Sequence, residues 1–128
     1  GEEEQQVALA VLEGRLAMAE GNTRRALERF QAGAKIQDAE MAGYMDPPAW
    51  WYPVRRSVAA VHLRDGNFAK AESEATASLE AWKHDPLALW VLGKAQEGLG
   101  RVEDAAATLE RARTLWRGDF GSITAEAI

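Results

Sequence analysis

PLALWVLGKAQEGLGRVEDAAATLERA, residues 86–112, is the stretch from which the fold is read. Asp85 ahead of Pro86 has the form of a helix start: a carboxylate as N-cap, and a proline at the first helical position, where its missing N–H has no partner in any case. Gly93 follows the large Leu92, and a small residue beside a large one lets a neighbouring helix come close. Gly100, seven residues later, ends the helix. Ala105, Leu109, Ala112 and Trp116 then recur at helical spacing, placing one apolar stripe on a second helix. The stretch is a helix pair joined by a glycine turn, and nothing in it is reactive.

The same unit occurs twice upstream. Gly21, Gly66 and Gly100 each close a helix, and each is followed five residues later by an alanine: Ala26, Ala71 and Ala105. Seven residues before each turn stands a small residue, Gly14, Ala59 or Gly93, and nine residues after it come Phe30, Ala75 and Leu109. Gly66 and Gly100 are 34 residues apart, whereas Gly21 and Gly66 are 45 apart, which leaves an insertion of 11 residues in the first interval. The insertion coincides with GYMDPP, residues 43–48, where two prolines exclude a helix interior. Self-similarity at 34 residues with paired helices marks a stacked helical repeat. The expected helices run over residues 2–19, 23–42, from 48–51 to 64, then 68–82, 86–99 and 102–117. Pro53 either falls in the first turn of the third or kinks it, and Trp82 and Trp116 are expected on the core stripes of their helices.

Composition narrows the chemistry. A chain of 128 residues with 47% hydrophobic and 27% charged residues is ordinary globular material, long enough to bury about two-thirds of its unfolded surface. A formal net charge of -5 with no dense Lys/Arg run argues against nucleic acid, and no apolar run approaches a membrane span. There is no cysteine, and the two histidines, His62 and His84, lack a second ligand at metal spacing, so neither catalysis nor a metal nor another cofactor is expected. Five tryptophans are unusual at this length. Tyr44, Trp50 and Trp51 cluster at the insertion, and Trp50 and Trp51, being adjacent, cannot both face one core. Either they pack under the loop or one of them anchors a partner. The compartment is left open: Gly1 in place of Met reads as a processed chain or an excised piece, whose targeting information went with whatever preceded it.

The pattern Leu92-Gly93, Gly100, Ala105, Leu109, Ala112 resembles the tetratricopeptide repeats. Gly14, Gly21, Ala26, Phe30 and Gly33 fit nearly as well; the middle unit fits through Ala59, Gly66, Phe68 and Ala71 and departs at Ala75 and Ser78, where an aromatic and an alanine are usual. A weaker similarity, through Tyr44 to Pro48 and Trp51 to Arg55, is to the C-terminal part of longer bacterial proteins of this kind. The resemblance implies an all-α fold: one domain in the form of a right-handed α-solenoid of three antiparallel helix pairs, about six helices. Its units are expected over residues 3–42, 48–83 and 86–117, with the inserted loop at 43–48 and a tail at 119–128.

It also implies a function without catalysis, protein–protein interaction, in which the first helix of each pair lines a concave groove. The family's inner positions fall on Val11, Arg15 and Met18, on Arg56, Ala60, Leu63 and Arg64, and on Trp90, Lys94 and Glu97. Four cations face one acid there, so the expected ligand is a protein or peptide segment with carboxylates and an apolar anchor, read by arginine forks and Trp90. The face has no asparagine and so lacks the asparagine-and-lysine clamp of repeats that bind chaperone C-termini. Three other readings stand beside this one. The cations are solvated surface, or flanking repeats fill the groove; the chain is a structural cap of a larger protein, which a polar outer face on residues 102–117 favours, whereas exposed apolar positions there favour further stacking or a homodimer; or the tryptophan-rich loop takes a small molecule or a metal.

Overall fold

The computed structural model describes residues 1–43 and 52–128. Six α-helices follow one another: α1 (Glu2–Ala19), α2 (Thr23–Gly43), α3 (Val54–Arg64), α4 (Phe68–Ala81), α5 (Pro86–Gly98) and α6 (Val102–Leu115). Two single 3₁₀ turns, Phe120–Ser122 and Ala125–Ala127, close the chain, and the described residues contain no strand. The architecture is the all-α one anticipated, three helix pairs packed in sequence, α1 with α2, α3 with α4 and α5 with α6, each pair leaning on the next.

The three intra-pair turns are built identically. Gly21, Gly66 and Gly100 have φ of +74°, +77° and +81°, a region that side chains with a Cβ disfavour. Around the first turn, Gly21 N donates to Met18 O (3.1 Å) and Asn22 N to Ala17 O (2.8 Å); Gly66 and Asn67, and Gly100 and Arg101, make the same two bonds. This is the Schellman arrangement, which satisfies the last carbonyls of one helix. The carbonyls of Asn22, Asn67 and Arg101 then accept from Ala26, Ala71 and Ala105, starting the next helix, and these three alanines are buried.

Within the first and third pairs the helices meet at one complementary contact. A Cβ on Gly14 would lie 2.7 Å from the Phe30 ring, and one on Gly93 2.6 Å from Leu109. At the same two repeat positions the second pair has Ala59 and Ala75, both fully buried. The middle unit therefore departs from the repeat pattern for a steric reason: its first helix already carries a methyl group where the others carry hydrogen, and its second helix is correspondingly small.

The re-entry after the insertion is fixed by α2. Gln37 is buried, donates from Nε2 to Tyr52 O (2.8 Å) and accepts at Oε1 from Val54 N (2.9 Å), so one amide holds the chain on either side of Pro53. Pro53 stands just outside α3 as its N-cap (φ -75°, ψ 113°), so the helix starts later than the 48–51 read from the sequence. The tryptophans assigned to core stripes also lie elsewhere: Trp82 and Trp116 are the residues after α4 and α6 and are half-buried, because each helix stops one residue short of them. Asp85 caps α5 as expected, accepting from Leu87 N at 3.1 Å.

The two ends of the stack differ. Leu9, Leu12 and Leu16 form a stripe on α1 that is 54–57% exposed. The residues at the same repeat positions are Val54, Ser57 and Val61 in α3 and Ala88, Val91 and Ala95 in α5, all at most 1% exposed. The difference arises because α2 packs along α3 and α4 along α5, whereas no described helix precedes α1. At the other end α6 presents Arg101, Glu103, Asp104, Glu110, Arg111 and Arg113, together with an exposed Val102.

Three outcomes follow from this packing. Gly93→Ala destabilises by about 1–3 kcal/mol, and Leu109→Ala by about 2–5 kcal/mol. The double variant, which recreates the Ala59 and Ala75 combination of the second pair, is more stable than the sum of the two losses predicts; urea unfolding of the four proteins measures the coupling. Leu12→Lys stays within about 0.5 kcal/mol of the parent, whereas Val91→Lys, at the same repeat position, costs about 4 kcal/mol or more. Finally, burial of His62 on α3 pushes its pKa below the ordinary 6.5; Lys70 adds to the shift, and Glu74 and Asp65 oppose it. The unfolded chain takes up that proton first, so the contribution of His62 is complete above about pH 6.5 and is lost as the pH falls below it. Unfolding curves between pH 5 and pH 8 show this slope in the parent and a shallower one in His62→Gln.

Candidate functional site

The first helices of the pairs, α1, α3 and α5, place the expected inner-face residues in register. Val11, Arg56 and Trp90 share one repeat position and are all buried. Arg15, Ala60 and Lys94 share the next, and Met18, Leu63 and Glu97 the one after it. Of these, Met18 and Ala60 are buried, Arg15, Leu63 and Lys94 are half-buried, and Glu97 is exposed. Tyr44, Trp50 and Trp51 lie outside the described residues.

Each of the four cations is engaged within the chain. Arg56 points Nη1 at both carboxylate oxygens of Asp85, 3.0 Å from each, and its guanidinium lies 4.6 Å from the centre of the Tyr52 ring. The two ion-paired side chains are 9% and 7% exposed, so this is a buried pair joining α3 to the N-terminus of α5, and Arg56 Nε has no hydrogen-bond partner among the described residues. A pair this deep is costly to break from one side, because the remaining charge stays buried. Arg56 is thus a tie between repeats. Lys94 lies 3.3 Å from Glu97 Oε1 and 5.8 Å from the Trp90 ring centre. Arg64 donates to Met18 O at 2.7 Å and approaches Glu126 Oε1 at 3.8 Å.

Arg15 leads to the feature that the sequence does not reveal. Its Nη2 donates to Tyr52 Oη (3.3 Å) and to the carbonyl oxygen of Ile128 (3.2 Å). Ser57 Oγ donates to the same carbonyl at 2.8 Å and lies 3.2 Å from Tyr52 Oη. Residues 119–128 therefore return from α6 across the inner face to α3 and α1. Phe120 sits under the Arg113 guanidinium at 4.6 Å, and Ala125 and Ile128 are buried in one apolar cluster with Ala59, Ala60, Leu89 and Trp90. Gly118, at φ +141°, makes the bend. Tyr52, Ser57, Glu126 and Ile128 belong to the site without having been singled out from sequence, and Asp85 is read there only as a helix cap. Phe120, Ile123, Ala125 and Ile128 recur at intervals of 3, 2 and 3, which matches neither helix nor strand and carries no signal.

A cleft of about 420 Å³, lined by Tyr52, Pro53, Arg56, Trp82, Lys83, His84 and Asp85, opens beside the buried pair. Among the described residues no group of three His, Asp or Glu is placed to hold a metal ion, and no helix is long and apolar enough to cross a membrane. His62 and His84 lie far apart in role, one buried on α3 and the other exposed between α4 and α5.

A sequence profile of the tetratricopeptide repeat matches residues 59–120, from the small residue of the second pair to the start of the returning segment. No curated protein and no solved structure matches the chain. Repeats of this type generally mediate contacts between proteins and typically serve as non-catalytic scaffolds. The matched stretch contains the 34-residue interval, and the first pair repeats its glycine turn and its small-to-large contact. Residues 59–120 thus form a tetratricopeptide-repeat region, which the first pair resembles in its turn and its contact.

Proposed function

We propose that this chain is a protein-interaction module whose concave face takes a partner segment with an acidic side chain and an apolar anchor, without catalysis. The observation that carries this reading is that the inner face already holds such a segment, with Glu126 beside Arg64 and Ile128 sunk in the apolar cluster. That segment bends through two 3₁₀ turns, so that the Ile128 carbonyl meets fixed donors while Ala125 and Ile128 fill apolar space. Arg15, Ser57, Arg64, Trp90, Lys94 and Leu63 are the contacts assigned to the partner. Arg56 is assigned to holding α3 and α5 together, so its removal weakens binding through the fold.

A second reading is supported by the leucine stripe on α1: the chain caps a longer array, with its apolar end covered by another helix and its α6 end facing water. Here the groove has no partner of its own. The two readings separate in one experiment. A photo-crosslinking amino acid is placed at position 94 in the groove, at position 12 on the α1 stripe, and at the exposed position 106 on α6, and each protein is irradiated in an extract of the source cells. The groove reading expects a discrete protein adduct from position 94 that position 106 does not give. Adducts from position 12 alone support the cap, and identical adducts from 94 and 106 sink the groove.

A further inference from the structure

We infer that residues 119–128 are a displaceable occupant of the groove, and that the partner segment has the same chemistry. That segment carries a carboxylate two residues before a branched aliphatic residue, whose backbone carbonyl oxygen is taken by Arg15 and Ser57. The inference rests on the groove reading above and adds to it the ligand pattern and the need for exchange.

The segment is bound as a ligand is bound. Its own backbone hydrogen bonds are local, Ser122 N to Asp119 O, Ile123 N to Phe120 O, Ala127 N to Thr124 O and Ile128 N to Ala125 O, all between 3.1 and 3.4 Å. It adds no turn to any of the six helices. Its polar grip on them runs through the Ile128 carbonyl, held by Arg15 and Ser57, and through Glu126 facing Arg64. Two of its side chains, Ala125 and Ile128, are buried, whereas Phe120 and Ile123 are half-buried. The core formed by α1, α2 and α3, from Val7 to Val61, contains no residue of the segment.

The groove can release it without stranding polar groups. Arg15 and Ser57 both lie within hydrogen-bond distance of Tyr52 Oη, so each keeps a partner once the Ile128 carbonyl leaves. Arg64 likewise keeps its bond to the Met18 carbonyl. An unsatisfied buried donor would oppose opening, and this network removes that cost. The residues of the turn, Trp116 in extended backbone and Gly118 at φ +141°, let the segment swing away with α6 unchanged. Segments held by few buried contacts open at free energies below that of global unfolding. A tethered occupant still competes at an effective concentration of about millimolar, so an external segment binds the closed chain weakly.

The full-length chain is compared with its Ala125→Asp/Ile128→Asp double variant, using a fluorescein-labelled peptide DFGSITAEAI as probe in anisotropy titrations. The expected result is that the peptide binds the double variant at least tenfold more tightly than the parent, and that adding Arg15→Ala lowers that affinity at least tenfold. Equal binding to parent and variant, or none to a variant that keeps the parent's helical circular dichroism, overturns the proposal. Hydrogen–deuterium exchange on the unmodified chain needs no variant: amides of residues 119–128 should exchange at least a hundredfold faster than those of residues 58–61, and equal protection overturns it. In the cross-linking experiment, adduct yield from position 94 should rise in the double variant. An unchanged yield overturns displacement and leaves the groove reading standing, whereas no adduct in either protein sinks both.

Discussion

A helix pair of this size cannot bury its own apolar faces, so the fold depends on how closely the two helices of each pair approach. That distance is set at one pair of repeat positions, where Gly14 meets Phe30 and Gly93 meets Leu109, and where the second pair has Ala59 and Ala75. In the first and third pairs, a hydrogen faces a large side chain; in the second, each position holds a methyl group. A close-packed interior has no spare volume, so each pair resolves the same spacing with its own division of size. The Schellman turns at Gly21, Gly66 and Gly100 complement these contacts, since they fix the angle at which the second helix leaves the first.

Between pairs the joints are of two kinds. Apolar packing carries most of the stack, but the joint from the second pair to the third also has Arg56 on Asp85, under the Tyr52 ring. Asp85 accepts from Leu87 N as well, so one carboxylate both starts α5 and neutralises a buried guanidinium from α3. The position equivalent to Arg56 holds Val11 in the first unit and Trp90 in the third, both buried. A single repeat position thus does apolar work twice and electrostatic work once. The family pattern, which records only size, does not distinguish them.

Much of the fold could be read from the amino acids because glycine turns, small-large contacts and the 34-residue period are local or periodic signals. What could not be read were the long-range polar pairings. Arg56 looked like a groove cation because its repeat position faces inward, and nothing nearby in sequence announces Asp85, 29 residues on, as its partner. The returning segment was invisible for a similar reason: its apolar residues keep no period, and its docking depends on a surface assembled from three separate helices. Trp82 and Trp116 extended their stripes in spacing, yet the helices ended just before them, because periodicity locates a face more reliably than an end.

The amide of Gln37 ties α2 to both sides of Pro53, through the Tyr52 carbonyl and the Val54 N–H. The register of α3 against α2 is therefore held by one side chain at two anchor points. In mechanical terms, that side chain is a two-pronged clasp between the first pair and the second. Substitution of Gln37 would loosen that joint while leaving the backbone bonds within α2 and α3 intact.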